Sequence, residues 1–136
     1  MADSQQPAIE RGATRDTRQR RAIRAAFLTT DRPLDPNEVL ALAAGDHRGL
    51  GIATVYRNIK MLLDEGWLTP VELPGEVTHY ELAGKEHHHH FHCRSCGKVF
   101  ELNACLPNVQ QLAPEGFAVN GHDLLLYGAC RECALA

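Results

Sequence analysis

Cys93-Arg94-Ser95-Cys96 and Cys130-Arg131-Glu132-Cys133 carry the strongest chemical signal in the chain. Two residues between cysteines let both sulfurs face one ion from a tight turn. Two such knuckles complete a closed tetrahedral thiolate set suited to zinc, and a closed set is structural. Gly97 and Gly128 stand beside the turns and are expected to give the backbone freedom there. A redox-active Cys-x-x-Cys needs one pair exposed at a helix start in a thioredoxin-like unit, which this sequence lacks. Cys93, Cys96, Cys130 and Cys133 are therefore read as ligands of a structural Zn2+.

His87-His88-His89-His90-Phe91-His92 runs straight into the first knuckle. Side chains alternate faces along an extended strand, so His88 and His90 serve one site while His87 and His89 serve another. Glu81 and Glu101 are placed to complete the first, and His122, in a Gly-His-Asp turn, to join the second. A lone acid or histidine is more often a solvated surface group. Alternating pairs beside a zinc knuckle are hard to explain that way.

Two differently composed halves must position these groups. Residues 1–82 read as a DNA-binding domain, with 1–14 flexible. Ala83-Gly84-Lys85 reads as a hinge, and residues 86–136 as a dimerisation and metal-binding domain. The first half has the pattern of three helices and a hairpin. Ile23, Ala26 and Phe27 give the first helix its apolar stripe. Asp35 as N-cap, Pro36 at the first helical position and Glu38 three residues after the cap start the second, with Leu34 placed to staple onto Val39 and Gly45 as its stop. The turn His47-Arg48-Gly49-Leu50-Gly51 leads to a third helix whose buried stripe is Val55, Ile59, Leu62 and Leu63, ending near Gly66. Its other side carries Thr54, Tyr56, Arg57 and Lys60. Strands over 67–73 and 77–82 around Pro74-Gly75 form a wing, which makes the half a winged helix-turn-helix whose last helix reads the major groove. The second half reads as a small sheet with strands near 87–93, 98–102, 117–120 and 123–127 and a short helix near 108–112. About fifty residues bury too little apolar surface to fold alone, so this half needs a metal, a partner subunit or both. The fold class is α+β.

At 136 residues the chain accommodates two small domains. Its net charge of −3 argues by itself against nucleic acid. The distribution argues for it, since Arg11, Arg15, Arg18, Arg20, Arg21 and Arg24 crowd the amino end. No apolar run is long enough to span a bilayer and no secretory signal is visible, so a cytoplasmic protein with five reduced cysteines is expected.

Gly51-Ile52-Ala53-Thr54-Val55-Tyr56-Arg57, the histidine run with Cys93-Arg94-Ser95-Cys96-Gly97-Lys98, and Leu126-Tyr127-Gly128-Ala129-Cys130-Arg131-Glu132-Cys133 occur in this order. In these motifs the chain resembles the ferric uptake regulator family of bacterial metalloregulators, over nearly everything from Arg15 to Cys133. The resemblance implies a homodimeric transcriptional repressor of metal-uptake genes that binds double-stranded DNA at an AT-rich inverted repeat when a regulatory metal is bound. It implies that Tyr56 and Arg57 read the groove and that Arg15 approaches the minor groove. It assigns Glu81, His88, His90 and Glu101 to the regulatory site, and His87, His89 and His122 to a second site.

Three departures qualify the match. Pro33 stands where many members place a metal-binding histidine. The stretch between Glu101 and His122 is short, leaving Cys105 or Asn108 nearest to the missing acidic ligand. Glu81 occupies a position where peroxide-sensing relatives rely on aspartate. Cys105 has a bland reading as a small buried hydrophobe and a sharper one as a thiolate that favours zinc. Zinc, iron and manganese all suit the histidine and carboxylate sites, with zinc slightly favoured. A zinc hydrolase or deaminase would need His-x-Glu with Pro-Cys-x-x-Cys, or His-Glu-x-x-His, and the chain has neither. A metal store or metallochaperone would not need the Tyr56 and Arg57 helix.

Overall fold

The computed structural model describes residues 15–45 and 49–136, with side chains from residue 17 onward. The segment 1–14, the Arg15 side chain and the His47-Arg48 pair of the turn lie outside the described set. The chain divides into two compact units, Met1–Ala83 and Gly84–Ala136.

The first unit holds helices α1 (Arg15–Thr29), α2 (Pro36–Ala44) and α3 (Ile52–Asp64), then strands β1 (Leu68–Val71) and β2 (His79–Leu82). α2 begins with a full capping box. Asp35 Oδ1 accepts the Glu38 N–H at 2.7 Å while Glu38 Oε1 accepts the Asp35 N–H at 3.1 Å, so two otherwise orphaned donors are satisfied reciprocally. Ile23, Phe27, Leu34, Val39, Val55, Ile59, Leu62 and Leu68 bury into one core against which Trp67 and Tyr80 pack. Leu63, expected in the α3 stripe, is only partly buried. Asn58 is buried instead, its amide donating to the Thr54 carbonyl at 2.8 Å. α3 is released by Gly66 at φ +77, a conformation that a side chain would strain.

The wing is antiparallel with Leu68 opposite Leu82 and Thr69 opposite Glu81. Its paired strands are shorter than the sequence pattern, because Leu73 and Glu76 close a turn across Pro74-Gly75 and take the flanking residues out of the ladder. Two backbone bonds between Leu34 and Tyr80, at 2.9 and 2.8 Å, tie the entry of α2 to β2 and so to the wing.

The second unit is a three-stranded sheet in the order β4-β3-β5. β3 (His89–Cys93) pairs antiparallel with β4 (Val99–Leu102) and parallel with β5 (Leu125–Gly128). A 3-10 turn (Val109–Leu112) precedes β5, and α4 (Arg131–Leu135) follows it. The strand expected at 117–120 does not form. The Gln110 side chain takes the Phe117 carbonyl and the Val119 N–H, at 2.7 and 3.0 Å, where a ladder would have used them. Among the described residues of this unit, Cys93 and Val99 are the buried apolar side chains, and His89 and His92 are buried beside them.

The first unit's stability rests on its interlocked core. Ile59→Ala is expected to cost about 2–5 kcal/mol through lost burial and the cavity left behind. Urea unfolding followed at Trp67 measures this, and a loss below about 1 kcal/mol would show that the α3 stripe is not the centre of packing.

Candidate functional site

The end of β3 builds the first cluster. Parallel pairing sets Cys93 opposite Gly128, the Arg94 N–H bonds the Gly128 carbonyl at 2.8 Å, and the two knuckles emerge side by side. Gly97 takes φ +80 as its turn demands. Gly128 does not adopt a positive φ. It is a strand residue with the Phe91 ring over the place of a side chain, so the conformational freedom expected for it is not used.

Cys93, Cys96, Cys130 and Cys133 bring their sulfurs within 4.8 Å of one another. The Cys96 to Cys130 separation is 3.9 Å, against the ~3.8 Å edge of a tetrahedron with zinc-to-sulfur bonds near 2.3 Å. The donor set therefore fits zinc. Backbone N–H groups of Cys96 and Cys130 point at Cys93 Sγ and hold its pKa down to about 5. Hydrogen bonding with Cys130, then with Cys93, and burial push Cys133 up to about 12. Four crowded thiols cannot all ionise without a cation, and a bound divalent ion supplies the positive charge that lets them do so.

The second cluster lies at the other end of β3. His87 and His89, on alternate positions of one face, meet His122 from the loop before β5. Their Nε2 atoms are 3.1, 3.2 and 3.1 Å apart. Cys105 is exposed, so the buried-hydrophobe reading fails. Its Sγ lies 2.9 Å from His122, 3.4 Å from His89 and 3.7 Å from His87. Three nitrogens and one sulfur converge here as a four-donor set of the kind a tetrahedral site uses. Asn108, the other candidate, is the left-handed N-cap of the 3-10 turn. Burial, and then the neighbouring His87 and His122, push the His89 pKa down, which favours the neutral ring that a metal needs. The Leu124 N–H donates to His89 Nδ1 at 3.1 Å. Ligation through Nε2 requires a proton on Nδ1, so that N–H must then leave the ring.

On the opposite face of β3, the His88 and His90 rings sit 4.8 Å apart between centroids. Glu101 is opposite His90 in register, but its carboxylate pairs with Lys85 at 3.0 Å. Glu81 is buried on β2 of the first unit.

The outer side of α3 presents Tyr56, half-exposed, with Arg57 and Lys60, both exposed. Arg57 donates to Thr54 Oγ1 at 3.3 Å. Behind them a cleft of about 150 Å³ is lined by Arg20, Arg57, Asn58 and Met61. Arg20 Nε is buried without a hydrogen-bond partner, so the cleft offers two guanidiniums to an anion. In the sequence Arg20 is one of many amino-terminal cations; the signal for its place is that it stands three residues before Ile23 and seven before Phe27, on the apolar stripe of α1.

The ferric uptake regulator family model matches residues 11–127. The chain belongs to this family. Members are DNA-binding transcriptional regulators with dimeric structures, and they are not enzymes. Over 130 residues the chain is 32% identical to a ferric uptake regulation protein of Campylobacter jejuni, spanning 92% of this chain and 83% of that one. It is 26% identical to the peroxide operon regulator of Bacillus subtilis, over 93% and 88%. Among solved structures it resembles a zinc-bound manganese uptake regulator with a TM-score of 0.72 at 27% identity, over 82% of this chain and 87% of that chain. The architecture is thus a winged helix-turn-helix joined to the small second domain of ferric uptake regulators.

The thiol pattern carries a prediction for zinc binding in this family member. At neutral pH Cys93 is already a thiolate while Cys133 keeps its proton, so zinc uptake must expel protons and apparent affinity must rise with pH. Calorimetry at pH 7 in buffers of different ionisation enthalpy is expected to show at least one proton released per zinc. Heats independent of buffer would contradict the assignment.

Proposed function

We propose that this ferric uptake regulator relative is a cytoplasmic, homodimeric repressor of metal-uptake genes that binds an AT-rich inverted repeat when loaded with regulatory metal. Zinc is the metal it answers to. The observation that carries the zinc reading is Cys105 Sγ among the Nε2 atoms of His87, His89 and His122. A thiolate makes the donor set softer than imidazole and carboxylate alone, which favours zinc over manganese. Among the described residues, no helix is long and apolar enough to cross a membrane.

Tyr56, Arg57, Thr54 and Lys60 read and grip the duplex from α3, with Arg15 reaching the minor groove. Arg20 and Arg57 seat a backbone phosphate in the cleft between them. Homodimer formation is supported by Leu112, Phe117, Leu126, Tyr127 and Leu135, all exposed apolar residues of the second unit. Glu81, His88, His90 and Glu101 form the regulatory site nearest the hinge. For Glu101 to serve there it must exchange Lys85 for the metal, which makes the Lys85 ion pair part of the off state. Metal strengthens DNA binding only as far as it binds the DNA-competent arrangement more tightly than the other.

Fluorescence anisotropy of an operator duplex, titrated in buffered zinc, iron and manganese, tests the reading. Wild type is expected to gain DNA affinity at the lowest free concentration with zinc. Cys105→Ser is expected to need at least tenfold more. Arg57→Ala and Arg20→Ala should weaken binding at every metal level, each reducing the salt slope by roughly one, with metal content unchanged. Equal response of wild type and Cys105→Ser to zinc would refute the zinc assignment, and full affinity in Arg57→Ala would remove α3 as the reader.

A further inference from the structure

A further group of side chains able to hold a metal ion lies within the winged unit. Asp35, Glu38 and His79 bring one ligand atom each within 4.8 Å of one another. His79 is 3% exposed, on β2, and its Nε2 has no hydrogen-bond partner. That atom faces Glu38 Oε1 at 3.6 Å and Asp35 Oδ2 at 3.9 Å.

Four of the trio's other polar atoms are already engaged in ways that fix its orientation. His79 Nδ1 lies 2.9 Å from the Val77 carbonyl, which can only accept, so Nδ1 carries a proton and Nε2 is the atom left to bind. The capping box locks both carboxylates, with Asp35 Oδ1 and Glu38 Oε1 each receiving a backbone N–H. Arg32 clamps Glu38 Oε2 at 2.6 Å. Asp35 Oδ2 is left facing the ring. An imidazole whose far N–H is donated to a backbone carbonyl, beside carboxylates held by their own hydrogen bonds, is the outer-shell arrangement of metal ligands.

A buried nitrogen between two carboxylates calls for a positive charge between them. A ring proton would draw the oxygens to hydrogen-bond distance, below about 3.2 Å. The observed spacings exceed that reach and lie near the ~3.4 Å edge expected for nitrogen and oxygen ligands around zinc. We propose that Asp35, Glu38 and His79 form a divalent-cation site within the DNA-reading unit, with an N/O donor set suited to zinc or manganese and a remaining position for water. It joins the start of α2 to β2, at the place where the Leu34 and Tyr80 backbone bonds already connect them. The site stands apart from the reading under which Cys105 sets metal preference.

The test uses the full-length, zinc-loaded dimer. Manganese added to the 15N-labelled protein is expected to broaden the backbone amides around Asp35, Glu38 and His79. Equilibrium dialysis against buffered zinc should show one more ion per subunit in wild type than in Asp35→Asn/Glu38→Gln. These isosteric changes keep the capping oxygens and so keep α2. The variant's affinity for that ion should fall at least tenfold, and His79→Gln should fall likewise. Its DNA response to zinc through Cys105 is a separate readout, so loss of one reading leaves the other standing. Unbroadened amides at these residues, or equal ion counts and affinities in wild type and both variants, would overturn the site.

Discussion

The second unit has too little apolar core to hold itself together, and the rest of the account depends on that shortage. Its buried apolar side chains among the described residues are Cys93 and Val99, while the larger apolar side chains Phe117, Leu126 and Tyr127 stay exposed. At roughly 25 cal/mol per Å² of buried apolar surface, so small a core cannot offset the conformational entropy of about fifty residues. Four converging sulfurs can, because binding free energy at a structural zinc site is folding free energy when no preformed site exists in the unfolded chain. The same shortage accompanies the exposure of these larger apolar side chains. Exposed apolar residues of this kind are the ones the proposed homodimer would cover.

β3 is the element through which this economy of structure becomes chemistry. It is the central strand, so its register is fixed on both sides: Phe91 lies opposite Phe100 on one and Leu126 on the other. A one-residue slip would exchange the two histidine faces and detach Cys93 from Gly128. The thiolate cluster at one end of the strand therefore holds His87 and His89 in place at the other, and sets His88 and His90 on the opposite face. Both candidate ligand clusters are thus positioned by a single ladder. In the winged unit the corresponding anchor is apolar: Ile23, Leu34, Val55 and Ile59 fix α3 so that Arg57 and Tyr56 face outward.

Much of this was legible in the sequence because the deciding interactions are local. Asp35, Pro36 and Glu38 specify a helix start within four residues. The Cys-x-x-Cys knuckles and the alternating histidines point to candidate ligand sets from spacing, and the structure brings those side chains together. What was not legible depends on contacts between distant parts of the chain. The 117–120 segment has strand-like composition but loses its ladder to the Gln110 amide. The ion pair that Glu101 makes with Lys85, sixteen residues earlier, is not visible in the spacing. His79 carries no motif, and only its burial beside the α2 cap gives it significance. Sequence alone offers Cys105 first as a small buried hydrophobe and second as a ligand, and its exposure among three imidazoles weighs against packing.

Hydrogen exchange read by mass spectrometry, before and after removal of the thiolate-bound zinc by a strong chelator under reducing conditions, tests the central claim most directly. Loss of protection across β3, β4 and β5, with α1, α2 and α3 still protected, is the result this account predicts. Protection in β3 and β5 that persists in zinc-free protein would contradict it, because the sheet would then be held by something other than the metal.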